Sequence, residues 1–132
     1  MKLIALTINV FFFFTSFLFA QAKDSCCYHS LNSRDFYLLT QTKDVLIIDT
    51  RSQKAFKTCR IENAHLASER QVLEKLLENE SRERIIVVYC DEGKRSKGAA
   101  KVICSELKFT KVYSLEGGIS RWKKEDYPVV KD

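Results

Sequence analysis

Several things are scarce or missing in this chain, and most of them narrow what it does. The sequence has 132 residues with one proline and four glycines. Beyond residue 22 it has no internal repeat and no low-complexity segment, so a single domain is expected. None of the five cysteines (Cys26, Cys27, Cys59, Cys90, Cys104) has a partner at metal-ligand spacing, because Cys26 and Cys27 are adjacent and the others are isolated. That spacing argues against a zinc site. No Cys-x-x-Cys pair is present either. Charge of one sign is nowhere concentrated: 22 basic and 17 acidic residues give a net charge of +5. They are interspersed, as in Arg82-Glu83-Arg84 and Lys123-Lys124-Glu125-Asp126, which describes a solvated surface and not a nucleic-acid-binding stripe.

What is present begins with a leader. Met1-Lys2 supplies a small positive region, Leu3 to Ala20 is almost uninterrupted apolar sequence, and Ala20-Gln21-Ala22 is a small-x-small cleavage pattern. Residues 1–22 are therefore read as a secretory signal peptide, and residues 23–132 as the domain. The expected product is exported, periplasmic or secreted, with no stable membrane association after cleavage. Thr7, Asn9, Thr15 and Ser16 weaken the alternative of an uncleaved anchor. Lys23-Asp24-Ser25 ahead of Cys26 lacks the small and apolar residues of a lipobox. All five cysteines lie in the exported part, where disulfides form, and the odd count leaves at least one thiol over.

The domain alternates between two kinds of pattern. "VLIID" (Val45–Asp49) and Ile85–Tyr89 are short continuous apolar runs, the mark of strands buried on both faces in a parallel sheet. Val112–Leu115 reads as another strand. Between them lie helical patterns. Ser33 is placed as the cap of a helix over Arg34–Thr40, with Phe36 and Leu38 or Leu39 inward. Ser68-Glu69-Arg70-Gln71 reads as a capping box opening a helix with the stripe Val72, Leu73, Leu76 and Leu77. Arg95–Leu107 is predicted as one helix with Ala99, Ala100, Ile103 and Leu107 inward. Gly117-Gly118 turns the chain into a last helix ending near Trp122, and Pro128 stops it. Strand–helix alternation predicts an α/β fold: an open, twisted parallel sheet of about five strands with helices on both faces.

In such sheets the functional site lies beyond the carboxyl ends of the strands. Cys90 stands at one of these ends, in "YCDEGKRSK" (residues 89–97). Backbone N–H groups of the loop and first helical turn can converge on its sulfur, as on any anion at a helix N-terminus. Arg95 adds a permanent positive charge, and Gly93 suits a tight turn whose backbone approaches the sulfur. The combination of Cys90, Gly93, Arg95 and Ser96 favours a reactive sulfur anion over a merely structural buried cysteine.

"CDEGKRS" resembles the Cys-x-x-Gly-x-Arg-Ser loop of the rhodanese-like sulfurtransferases. "LIIDTRSQKAF" is similar to that family's Leu-Ile-Asp-Val-Arg-x-x-x-Glu-Phe segment, with Asp49, Arg51 and Phe56 in place. "VYSLEGGISRW" is similar to its closing Leu-x-Gly-Gly-x-x-x-Trp through Leu115, Gly117, Gly118 and Trp122. The resemblance spans roughly residues 30 to 130. It implies a sulfurtransferase in which Cys90 takes a sulfane sulfur from a small donor, holds it as a persulfide and passes it to a thiol or other nucleophile. The partners it implies are a small sulfur donor, free or carried as a persulfide on a protein, and a thiol acceptor. Asp91, Glu92, Gly93, Lys94, Arg95 and Ser96 would bind the persulfide and substrate, with the amides of residues 91–95 around the terminal sulfur. The resemblance implies no metal and no organic cofactor.

Some positions depart from the family pattern. Gly-His-Ile becomes Cys59-Arg60-Ile61, the following Gly-Ala becomes Asn63-Ala64, and the Glu expected to pair with Arg51 is Ala55, which leaves Arg51 without that partner. Asp49 is read as a cap for the turn after its strand. His65 is assigned a structural role, His29 sits in no motif, and Trp122 and Phe109 are assigned to the core. Cys104 is read as a buried inert thiol, while pairing of Cys59 with Cys26 or Cys27 stays open. Three other functions compete: a phosphatase or arsenate reductase on the same cysteine, a non-catalytic binding module, and a thiol-redox protein of the cell envelope. Phosphatase loops typically place five residues between Cys and Arg, and only Asp91 to Lys94 intervene here. Inactive relatives generally lose the cysteine, which this chain keeps.

Overall fold

Five short strands, each apolar where it is central, form the frame in the computed structural model, which describes residues 27–132. The proposed signal peptide and Cys26 lie outside the described residues. The strands are β1 (His29–Leu31), β2 (Leu46–Asp49), β3 (His65–Leu66), β4 (Ile86–Tyr89) and β5 (Val112–Leu115). They make one sheet of order β1-β5-β4-β2-β3, with every pairing parallel. β4 and β2 are buried along their whole length, as their unbroken apolar runs require when both faces are covered.

Alternate residues of these strands face opposite layers. Leu46, Ile48, Ile86, Val88 and Val112 pack with Leu73 and Leu77 of α3 (Arg70–Leu77) and with Ala100 of α4 (Lys94–Lys101). Ile47, Val87, Tyr89 and Leu115 pack on the other side with Phe36 of α1 (Ser33–Thr40) and with Ile119 and Trp122 of α5 (Gly118–Lys124). The predicted two-sided α/β sheet is what forms. Trp122 and Phe109 are core residues as expected, and Trp122 stacks within an aromatic group with Phe36, Tyr37 and Tyr127.

Several local expectations are corrected. Helix α1 begins one residue early: Asn32, not Ser33, is its cap and accepts the Asp35 N–H at 2.9 Å. Ser33 turns inward, and its Oγ is a buried polar atom without a hydrogen-bond partner. On α1, Phe36 is buried while Leu38 is 57% exposed. The Ser68 capping box does not form. The Ala67 N–H is bound to the Asp49 carbonyl, which keeps the chain extended past β3, so α3 starts at Arg70 behind Glu69 with no side-chain cap. Of the α3 stripe, Leu73 and Leu77 are buried, Leu76 packs at the margin, and Val72 is exposed. The helix predicted over Arg95–Leu107 divides. α4 ends at Lys101, and Val102–Glu106 continue as a π-helical turn closed by the Leu107 N–H on the Val102 carbonyl. The last helix runs to Lys124, two residues beyond Trp122. β1, β3 and α2 (Gln53–Thr58) had no pattern long enough to show in the sequence.

The cysteine expectations change most. Cys104 is not a free thiol: it forms a disulfide with Cys27, with Cα atoms 5.9 Å apart. Cys59 is free and buried, so it has no pairing with Cys27. The bridge ties the chain just before edge strand β1 to the π-helical turn behind α4.

Candidate active site

Cys90 is the first residue past β4, the strand at the middle of the sheet. Its side chain is almost wholly covered (3% exposed). The loop that follows curls back over it. The Gly93 N–H donates to Sγ at 3.1 Å and the Ser96 N–H at 3.3 Å. Gly93 makes this curl with a left-handed backbone (φ 98°) as the cap of α4, a conformation that side-chain-bearing residues avoid. Ser96 is fully buried; its hydroxyl donates to the Gly93 carbonyl at 3.2 Å and lies 3.4 Å from Sγ. Two N–H donors aimed at one sulfur make a site for negative charge on that sulfur.

The other predicted loop residues sit differently. Asp91, Glu92, Lys94 and Arg95 are exposed, and with Cys90 and Ser120 they line an open cavity of about 570 Å³. None of the four hydrogen-bonds to Sγ. The donors to Sγ come from Gly93, within the 91–95 span implied by the family resemblance, and from Ser96, one position beyond it.

Sequence reasoning missed what holds the loop from the far side. The start of α5 lies against it, with the Ile119 N–H on the Cys90 carbonyl at 2.9 Å and the Ser120 N–H on the Asp91 carbonyl at 3.0 Å. This approach needs a glycine at 118. A Cβ there would fall 2.3 Å from the Asp91 carbonyl oxygen, and its φ of 61° is again left-handed. The Gly117-Gly118 pair was visible in the sequence as a turn and as part of the family's closing segment, but not as the contact that holds the Cys90 loop.

Arg51 does not lack a partner. Its guanidinium is buried and binds both Asp49 carboxylate oxygens, with Nη2 2.7 Å from Oδ2. It also donates to the Cys59 carbonyl at 2.5 Å, and its outer edge comes within 3.9 Å of Asp91. Asp49, two residues upstream, takes the place of the Glu that Ala55 replaces. Asp49 also accepts the Arg51 backbone N–H at 2.9 Å, the turn-capping role expected of it. Burial by itself would loosen the guanidinium's proton, but the hydrogen bond and charge of Asp49 outweigh it and hold the proton more tightly than usual. Tyr89, directly before Cys90, accepts the Ile61 N–H on its hydroxyl. Burial first, and then the Asp49 carboxylate, raise its phenol well above the ordinary tyrosine range, so it stays neutral. This buried set floors the loop. His65 and His29 sit on the edge strands β3 and β1, outside the lining of this cavity.

Comparison with known proteins gives a consistent result. The rhodanese-like domain family matches residues 33–125. A curated relative, thiosulfate sulfurtransferase GlpE of Coxiella burnetii, is 32% identical over 97 residues, covering 73% of this chain and 88% of its own. A rhodanese-related protein from Thermoplasma volcanium superposes with a TM-score of 0.64 at 30% identity, over 80% of this chain and all of that one. The rhodanese-like domain of an Anabaena protein gives a TM-score of 0.68 over 78% of this chain and 79% of that one; at 19% identity it speaks for the fold alone.

Proposed function

The chain belongs to the rhodanese-like family, and from that premise we propose that it is a sulfurtransferase working through a persulfide on Cys90. The Cys90 thiolate attacks the outer, sulfane sulfur of a donor. A new S–S bond forms on Sγ as the donor's bond to that sulfur breaks, and the leaving group departs with the electron pair. An acceptor thiolate then attacks the outer sulfur of the persulfide and expels Cys90 as thiolate. No net oxidation occurs, and neither step needs a metal or an organic cofactor. Splitting the transfer in two is covalent catalysis, for which ping-pong kinetics are expected.

The observation that carries this reading is the pair of N–H groups, from Gly93 and Ser96, directed at the Cys90 sulfur. Fixed donors stabilise charge without reorganising during the reaction. Lys94 and Arg95 line the cavity through which a donor enters, and Asp91 and Glu92 on the same lining balance their formal charge. We propose further that the protein works outside the reducing cytosol, as a periplasmic or secreted protein. The Cys27–Cys104 disulfide supports that compartment. So does the signal-like leader.

The test is to incubate the protein with a sulfane donor and measure the mass of the Cys90 peptide. A gain of one sulfur atom, removed by an acceptor thiol, is the expected result. Cys90→Ser should abolish turnover with the fold intact, because the change is nearly isosteric. Turnover retained by that variant overturns the mechanism.

A further inference from the structure

Ser120 was singled out by no motif: in the Gly-Gly-x-x-x-Trp pattern it occupies an unspecified position. Yet it shares the cavity wall with Cys90, Lys94 and Arg95. Its backbone is fixed, because its N–H is bound to the Asp91 carbonyl and the preceding N–H to the Cys90 carbonyl. The residue is half-buried, and no hydrogen bond engages its hydroxyl among the described residues. A hydroxyl on a rigid backbone, in a residue that lines the cavity and spending its proton on no protein group, is available to a ligand. Among the described residues, Lys94 and Arg95 on the same rim have no carboxylate within ion-pair distance; of the rim's two carboxylates, Asp91 has Arg51 at 3.9 Å and Glu92 has no ion-pair partner.

We propose that Ser120 is a donor-selecting residue: its hydroxyl, flanked by Lys94 and Arg95, binds an oxygen anion on the leaving group of the sulfur donor. This inference rests on the sulfur-transfer reading above and adds a chemical class to it. The sulfur cradle of Gly93 and Ser96 handles the sulfane sulfur that every donor brings. The Ser120 side of the cavity handles what remains after transfer. Donors whose remainder carries sulfonyl or sulfinyl oxygens, such as thiosulfate, which leaves as sulfite, engage the hydroxyl. Alkyl persulfides, which leave as thiolates without oxygen, do not. The charge-assisted bond to an oxyanion forms as electrons flow into the leaving group, so it strengthens toward the transition state.

The experiment compares two donors on the full domain: thiosulfate, and ethyl persulfide generated in situ. Ser120→Ala should lower the ratio of kcat/KM for thiosulfate to that for ethyl persulfide by roughly ten-fold, the loss expected for one hydrogen bond to a charged group at a partly solvated site. Ser120→Thr, which keeps the hydroxyl, should restore most of the ratio. A general loosening of the loop would depress both donors together and leave the ratio in place; that result overturns the inference. So does failure of the threonine variant to rescue a lowered ratio. Wild-type protein that accepts ethyl persulfide and not thiosulfate also overturns it, with the sulfur-transfer reading intact. Wild-type protein that accepts neither donor overturns both.

Discussion

Breaking the Cys27–Cys104 bridge should weaken the protein by several kcal/mol while leaving the Cys90 loop in place. The bridge spans a sequence separation of 77. In the chain-entropy account, a crosslink closing a loop of that length destabilises the unfolded state by about 4.5 kcal/mol at 25 °C. The folded state should change little on reduction, since β1 keeps its register on β5 from His29↔Tyr113 to Leu31↔Leu115. Trp122, the only tryptophan, is 1% exposed and stacked against Tyr127, so its fluorescence reports global unfolding. With an m value of about 1.5 kcal/mol/M, a loss of 4.5 kcal/mol lowers the urea midpoint by about 3 M. Wild-type protein should therefore drop by that amount when reductant is added. Cys104→Ala should start near the reduced value, lower by a further ~1 kcal/mol for the atoms removed from the core, and should not respond to reductant. A wild-type midpoint moving by less than about 0.5 M would refute the reasoning: either the bridge is absent in solution, or the reduced unfolded chain is already so compact that closing the loop gains nothing.

Three further outcomes follow from the floor of the site and from two glycines. Because Tyr89 holds its proton more tightly folded than unfolded, stability should be level below the unfolded tyrosine value of about 10 and fall as pH rises beyond it, where only the unfolded chain ionises. Tyr89→Phe should flatten that alkaline slope in urea titrations at pH 9 to 11 (about the unfolded value,), although it starts roughly 1–3 kcal/mol lower because the Ile61 N–H loses its acceptor; an unchanged slope refutes the assignment. Gly118→Ala should abolish sulfur loading on Cys90, because the new Cβ meets the Asp91 carbonyl at 2.3 Å. By contrast, Gly98→Ala in the middle of α4, where a Cβ meets nothing within 4 Å, should stabilise the protein by about 0.5–1 kcal/mol; normal loading in Gly118→Ala would show that the loop is not set by α5.

The central strands, the helices behind them and the candidate site cysteine were legible in the sequence because each is a local signal. Leu46–Asp49 and Ile86–Tyr89 are apolar without interruption since both sheet faces are covered, and that burial writes itself into consecutive residues. Cys90, Gly93 and Ser96 fall within seven residues, so their convergence on one sulfur follows from a single turn. Two- and three-residue edge strands such as β3 and β1 carry no such periodicity. Their pairing comes from the partner strand, and so does the extended stretch that displaces the Ser68 cap. The same limit applies to every feature made by residues far apart in the chain. Cys27 and Cys104 are brought together only when β1 docks beside β5. Arg51 finds Asp49 and the Cys59 carbonyl only once the end of β2 is buried. Ser120 reaches the Cys90 cavity only because α5 closes on the loop through Gly118. Burial and turn chemistry acting between near neighbours were enough to read the fold class and the proposed nucleophile, Cys90, from the chain alone. Which groups from outside its own turn surround Cys90 was decided by tertiary packing, because a contact between distant residues depends on the whole sheet being assembled and leaves no pattern in either segment alone.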